Sequence, residues 1–174
     1  MRKIFVSLTI LFVIGIFTGV AQSEMHDDIH IHKSCIFCGM DRGVFNFSRM
    51  LIEYDDGTTA SLCSLHCAAI DLATNIDKTP KAIKVADFNG KQLIDAEKAS
   101  WAVGGKKMGV MTKRGKWAFE KKDDAEAFVK LNGGEIVSFD QAMKMAYEDM
   151  YADTQMIREK RKMKRMKMEQ KPKN

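Results

Sequence analysis

Residues 47–67 read Phe-Ser-Arg-Met-Leu-Ile-Glu-Tyr-Asp-Asp-Gly-Thr-Thr-Ala-Ser-Leu-Cys-Ser-Leu-His-Cys, and the fold is read outward from them. Phe47 to Tyr54 alternates loosely between apolar and polar residues, Asp55-Asp56-Gly57 is a tight-turn signal, and Thr58 to Leu62 opens on β-branched residues. Two strands paired as a hairpin are expected. Ser64 stands where a helix cap is wanted, and Leu65, Ala68, Ala69, Leu72 and Ile76 follow at helical spacing, which predicts a helix over 64–76. Ala82 to Phe88 alternates again, so the first half reads β-β-α-β.

The second half repeats that order. Ala99 to Val103 and Lys116 to Glu120 are strand-like, Asp123 to Leu131 places Ala125, Phe128, Val129 and Leu131 inward on a helix, Gly133-Gly134 ends it, and Glu135 to Phe139 is a further strand. From Gln141, the residues Met143, Ala146, Tyr147, Met150, Tyr151, Thr154 and Ile157 keep the stripe of an amphipathic helix that packs back on the body. The expected class is α+β: two tandem β-β-α-β units, then an amphipathic C-terminal helix and a basic tail.

A chain of 174 residues that is 45% hydrophobic and 29% charged is neither disordered nor fibrous. It is long enough for one real core and too short for a large two-domain enzyme. Met1-Arg2-Lys3, an uncharged apolar run from Ile4 to Val20, and small residues at Ala21 and Ser23 read as a signal peptide over 1–23, hence an exported, periplasmic or extracytoplasmic chain. If the signal is not cleaved, its uncharged run of 17 residues is marginal as a membrane anchor. No cysteine lies near the cleavage region, which excludes lipid anchoring there.

Charge is divided unevenly. Residues 158–174 hold nine Lys/Arg against Glu159 and Glu169, a net of +7, whereas residues 24–157 hold 17 basic and 21 acidic side chains, a net of −4. The tail has no apolar period, so it reads as a solvated, disordered end, or as a contact for anionic lipid head groups or an acidic partner. An exported chain does not meet nucleic acid, and that partner is set aside.

The chemistry concentrates in four cysteines. Cys35-Ile36-Phe37-Cys38 is followed by Gly39-Met40, and Cys63-Ser64-Leu65-His66-Cys67 spans the end of a strand and the start of a helix. A turn-borne pair facing a helix-start pair can converge on one ion. Thiolate and thioether donors select Cu(I) over harder ions. Met40 after the turn and Met108 in the glycine-flanked loop 104–111 are candidate donors, whereas Met50, Met143, Met145, Met150 and Met156 fit adaptable core packing. Alternatives stay open: disulfides in an oxidising compartment, a zinc-stabilised interaction domain, or a thiol-disulfide oxidoreductase. The last needs a low-pKa thiol at a helix start, and Gly39-Met40-Asp41-Arg42-Gly43 reads as a turn.

Residues 24–33 form a histidine-containing leader. In an extended segment His30 and His32 project to one side just before Cys35, as a metal-capturing site or as a mobile polar leader. His66 is a ligand or a helix-surface residue. Cleavage after Ser23 would begin the chain Glu24-Met25-His26, an amino-terminal nitrogen site suited to Cu(II).

Cys35-x-x-Cys38-Gly39-Met40, Leu62-Cys63-Ser64, Leu93-Ile94-Asp95-Ala96, Ala102-Val103-Gly104, Met108-Gly109, Ala118-Phe119, Asp124-Ala125 and Gly133-Gly134 occur in the order seen in NosL. The chain resembles that family over about residues 34–143, and its cysteine motifs also look like the YHS and TRASH heavy-metal modules. The resemblance implies a 34–157 metal-binding domain with a fold similar to the organomercurial-lyase core. It implies one Cu(I) per chain, held through Cys35, Cys38, Met40 and Met108 and delivered to a periplasmic cuproenzyme such as nitrous oxide reductase. No enzymatic activity is implied. Cys67, standing beside Cys63, enriches the thiol set beyond the family pattern.

Overall fold

The structure is a computed structural model and describes residues 27–170. The signal segment, the Glu24-Met25-His26 motif and the last four residues of the tail lie outside the described residues. The first unit holds β1 (Met50–Tyr54), β2 (Thr59–Leu62), α2 (Leu65–Thr74), β3 (Pro80–Ala86) and β4 (Leu93–Asp95), preceded by a short helix α1 (Asp27–Ile31). Its sheet runs β2-β1-β3-β4, with Met50 opposite both Leu62 and Val85. The second unit holds β5 (Ser100–Val103), β6 (Lys116–Phe119), α3 (Lys122–Asn132) and β7 (Glu135–Val137), in a sheet ordered β6-β5-β7. Every pairing is antiparallel.

Both units use one topology. The first strand is central, its hairpin partner lies on one side, and the strand that follows the helix lies on the other. The tandem α+β reading therefore holds. In the first hairpin Gly57 adopts φ +81°, and the Asp56 carboxylate accepts from the Thr58 amide at 2.8 Å. This is turn chemistry that glycine and aspartate supply at little cost.

One core joins the two sheets. The Phe88 ring lies 5.3 Å from Trp117, 5.5 Å from Phe119 and 5.2 Å from Phe128, tilted or edge-on as aromatic quadrupoles prefer. The Phe88 amide donates to the Ala118 carbonyl at 2.8 Å, so the segment after β3 is stitched to β6. At the end of the second unit Gly134 has φ +99°, and a Cβ there would stand 2.4 Å from the Val103 carbonyl oxygen. Only glycine lets α3 turn back into β7.

Several expectations are corrected. Strand β4 was not foreseen: three residues carry too little periodicity to be seen alone. Ile76, expected to close the apolar stripe of a helix over 64–76, and Leu131, expected inward, are 80% and 79% exposed, because α2 ends at Thr74 and the buried face of α3 is Ala125 and Phe128. Ser64 occupies the cap position of α2 without making a capping bond. The leader is not extended, since Asp27–Ile31 is helical.

The largest correction concerns the C-terminus. Helix α4 runs from Phe139 to Glu169, opened by a capping box of Ser138 and Gln141. Residues 158–169, expected as disordered tail, are helical. Lys, Arg, Met and Glu are good helix formers, and they extend a helix already nucleated by the buried Phe139, Ala142, Met143 and Ala146. Among the described residues no helix is long and apolar enough to cross a membrane.

Candidate metal centre

The segment carrying Cys35 and Cys38 is a knuckle laid against β2. Within it the Cys35 amide donates to the Met40 carbonyl and the Gly39 amide to the Cys35 carbonyl, each at 2.9 Å, with Gly39 at φ +73°. The Ile36 amide then reaches the Ser61 carbonyl at 3.0 Å, and the Ser61 hydroxyl reaches the Ser34 carbonyl at 3.3 Å. Cys63 follows β2 directly, and Cys67 lies in the first turn of α2. Strand, knuckle and helix start thus meet at one point.

All four cysteines are free thiols, and their sulfurs lie within 4.8 Å of one another. Cys38 Sγ is 3.4 Å from Cys63 Sγ, which is 3.6 Å from Cys67 Sγ. Sulfurs bonded tetrahedrally to one ion at about 2.3 Å stand about 3.8 Å apart, so the cluster fits a single ion with small adjustments. Cys35, Cys63 and Cys67 are buried, while Cys38 is half-buried and forms the exposed edge.

The cluster is electrostatically asymmetric. Bonds from Cys38, Cys63 and Cys67 hold the Cys35 thiol far below its ordinary pKa, against burial. At Cys38 the interaction with Cys35 pushes upward, but those with Cys63 and Cys67 pull it below the ordinary value. Donation to Cys35 and Cys38, together with burial, keeps Cys63 and Cys67 protonated well above the thiol range. The first charge therefore settles on the knuckle, and a metal must displace protons from the buried pair.

Arg42 and Arg49 are both fully buried and were not anticipated as site residues. Arg42 donates to Leu62 O at 3.2 Å, His32 O at 2.7 Å and the Asp28 carboxylate at 2.7 Å, which ties leader, knuckle and β2 together. Arg49 donates to the same carboxylate at 2.9 Å. One carboxylate faces two guanidiniums, and of the two it is Arg42 that interacts with a Cys35 thiolate. Asp28 is the anchor that makes the leader part of the fold.

Of the other expected residues, Met40 and Met108 border one cavity with Cys38, of about 660 Å³. Met111 and Met156 line it too. Met156, expected in the core, thus borders the cavity, and Met111, for which the sequence suggests no role, stands in the same glycine-flanked loop as Met108 with a left-handed φ of 64°, strained for a non-glycine residue. His66 is buried, with Nδ1 3.6 Å from Asp153 Oδ2, and burial lowers its pKa despite that neighbour. It faces α4 and stands outside the sulfur cluster. His30 lies in the last turn of α1 and His32 lends its backbone to Arg42.

The family model described as NosL matches residues 26–147. The chain belongs to the NosL family. Among solved structures, the crystal structure of the copper chaperone NosL from Shewanella denitrificans matches with 25% identity and a TM-score of 0.51, covering 62% of this chain and 87% of that one. A search of the curated proteins finds no match. The family match includes α1, all four cysteines, Met40, Met108 and Met111. It ends at Tyr147, so the rest of α4, including Met156, lies beyond the matched NosL region.

Proposed function

We propose that this NosL-family chain is an exported Cu(I) carrier that holds one ion at the four-cysteine cluster and passes it to a periplasmic cuproenzyme, with nitrous oxide reductase as the favoured recipient. The observation that carries this reading is the single exposed edge of the cluster. Three thiols are buried, and the fourth, Cys38, opens into a cavity lined by Met40 and Met108. Soft thiolate and thioether donors suit Cu(I), and copper here is cargo, to be held and released.

The geometry supports an associative transfer. A partner's thiolate or imidazole enters through the cavity and bonds to copper beside Cys38. Cys38, on the exposed edge of the cluster, then leaves before the buried pair does. Arg42, which holds the Leu62 carbonyl beside Cys63 and interacts with a Cys35 thiolate, favours the anionic thiolate complex and opposes spontaneous loss of the ion.

A structural zinc site is the second reading, favoured by four sulfurs within tetrahedral reach. Against it, the core that includes the cysteines also holds Trp101, Trp117, Phe119 and Phe128, apolar burial that stabilises the fold without a metal staple. The test is competition for Cu(I) against a chromogenic chelator, with zinc as rival, on fully reduced protein. One equivalent of tightly held Cu(I) that displaces zinc from a chain folded without metal supports the carrier, and Cys35→Ser or Cys38→Ser abolishes it. Zinc that resists copper, with unfolding on chelation, overturns the proposal.

A further inference from the structure

The cavity beside Cys38 carries a charge that copper binding does not explain. Its rim holds Lys107, Lys160, Arg161 and Lys164, and no Asp or Glu lines it. All four cations are exposed, and none takes part in a salt bridge among the described residues. Lys107 stands over the Phe88 and Trp117 rings at 5.5 and 5.8 Å. Arg161 donates to the Cys38 carbonyl at 3.2 Å, which brings the outer part of α4 over the knuckle. Three of these cations come from the helix beyond the NosL match.

A bare cation is repelled by such a rim, so the rim is not built for free copper. Residues 24–157 are net acidic and residues 158–174 carry +7, and three cations of that segment, Lys160, Arg161 and Lys164, stand at this mouth. The floor is apolar and thioether-rich, with Phe45, Phe47, Met111 and Met156. An occupant must therefore bring carboxylates to the rim and an apolar or sulfur-bearing side chain to the floor. A bilayer surface is too flat to fill a concavity of about 660 Å³, whereas a protein segment fills it.

The geometry points to the mouth of this cavity, walled by residues 156–164 of α4, as the docking site for a carboxylate-rich segment of the partner protein that exchanges copper. The inference rests on the carrier reading for the identity of that partner. Docking there sets the partner's own ligand beside Cys38 and replaces the missing counter-charge of the rim. Electrostatic complementarity of this kind acts mainly on encounter rate and register.

The test uses the full reduced chain and a short synthetic peptide rich in Asp and Met, with its Asp-to-Lys counterpart as control. Binding is read by fluorescence of Trp117, which borders the cavity. The acidic peptide binds, the basic one does not, and raising salt from low to high ionic strength weakens binding about tenfold. Lys160→Glu with Lys164→Glu weakens it by about tenfold. Lys162→Glu with Arg165→Glu makes the same charge change on the other side of the helix and leaves it within about twofold of wild type.

Equal loss in both pairs would make the effect one of tail charge alone and overturn the inference. So would binding to anionic phosphatidylglycerol vesicles with none to the peptide, or a dimer of the chain that Lys160→Glu with Lys164→Glu dissolves. Cu(I) affinity measured on the same wild-type sample separates the two readings. Peptide binding without copper binding sinks the carrier and spares the docking site, and the reverse sinks the docking site alone.

Discussion

Replacing Asp28 by asparagine strands two buried guanidiniums. Arg42 and Arg49 side chains are 0% exposed and the Asp28 side chain 9%, so almost no water is present to screen them. The carboxylate accepts from Arg42 Nη2 at 2.7 Å and from Arg49 Nε and Nη2, each at 2.9 Å. Removing one partner of a buried ion pair costs about 3–5 kcal/mol. The lower end is expected, because α1 is only five residues long and can shift. At about 2–4 °C per kcal/mol for a chain of this size, the melting temperature falls by about 6–12 °C. Domains of this kind are stable by about 5–15 kcal/mol, so the fold survives to be measured.

The assay is thermal or urea unfolding followed by circular dichroism. A double-mutant cycle with Arg49→Met gives a second check, since with one guanidinium gone the Asp28 substitution costs about 1–3 kcal/mol less. Because Arg42 also grips the Leu62 carbonyl next to Cys63, Asp28→Asn weakens Cu(I) binding as well. A stability change under about 0.5 kcal/mol, the scale of an ordinary surface substitution, would show that residues 27–33 are a loose leader after all and refute the anchoring argument.

The same carboxylate sets an acid limit. Burial raises the Asp28 pKa, but Arg49 and Arg42 outweigh it and hold it below the ordinary carboxylate value. Its stabilisation is therefore complete above the unfolded pKa of about 3.9 and is lost as pH falls through the lower folded value. Urea midpoints from pH 7 down to pH 3 show this loss in the wild type and lack it in Asp28→Asn. Cu(I) affinity rises with pH, because ions entering the cluster displace protons from Cys63 and Cys67. Chelator competition between pH 6 and 8 gives about one decade per pH unit for each proton released, and a flat profile contradicts the assigned protonation. Phe88→Ala removes a ring that meets Trp117, Phe119 and Phe128. It costs about 3 kcal/mol, read from the unfolding midpoint, with cluster affinity for copper little changed.

Much of the fold was legible because it is written locally. Asp55-Asp56-Gly57 encodes its own turn, the 3.6-residue spacing of Leu65, Ala68, Ala69 and Leu72 encodes a helix, and the repetition of β-β-α-β encodes two like units. The cysteine pairs were legible for the same reason: a knuckle and a helix start are short motifs whose geometry travels with their spacing. Met40 and Met108 stand out in the sequence as thioethers on turns, and both border the cavity beside Cys38.

Tertiary structure alone decided the rest, because each remaining feature depends on residues far apart in the chain. Nothing near Asp28 announces that Arg42 and Arg49 will close on it, and a buried ion pair has no sequence period. Whether Leu131 faces in or out depends on which side of α3 meets β5 and β6. The basic run after Ile157 has the composition of a solvated end, yet it is also a run of strong helix formers. Its helix extends one already nucleated by packing at Phe139 and Ala146, and Arg161 lies across the knuckle. That contact, 123 residues apart in sequence, brings Met156 and three cations of α4 beside Cys38, and sequence spacing holds no record of it.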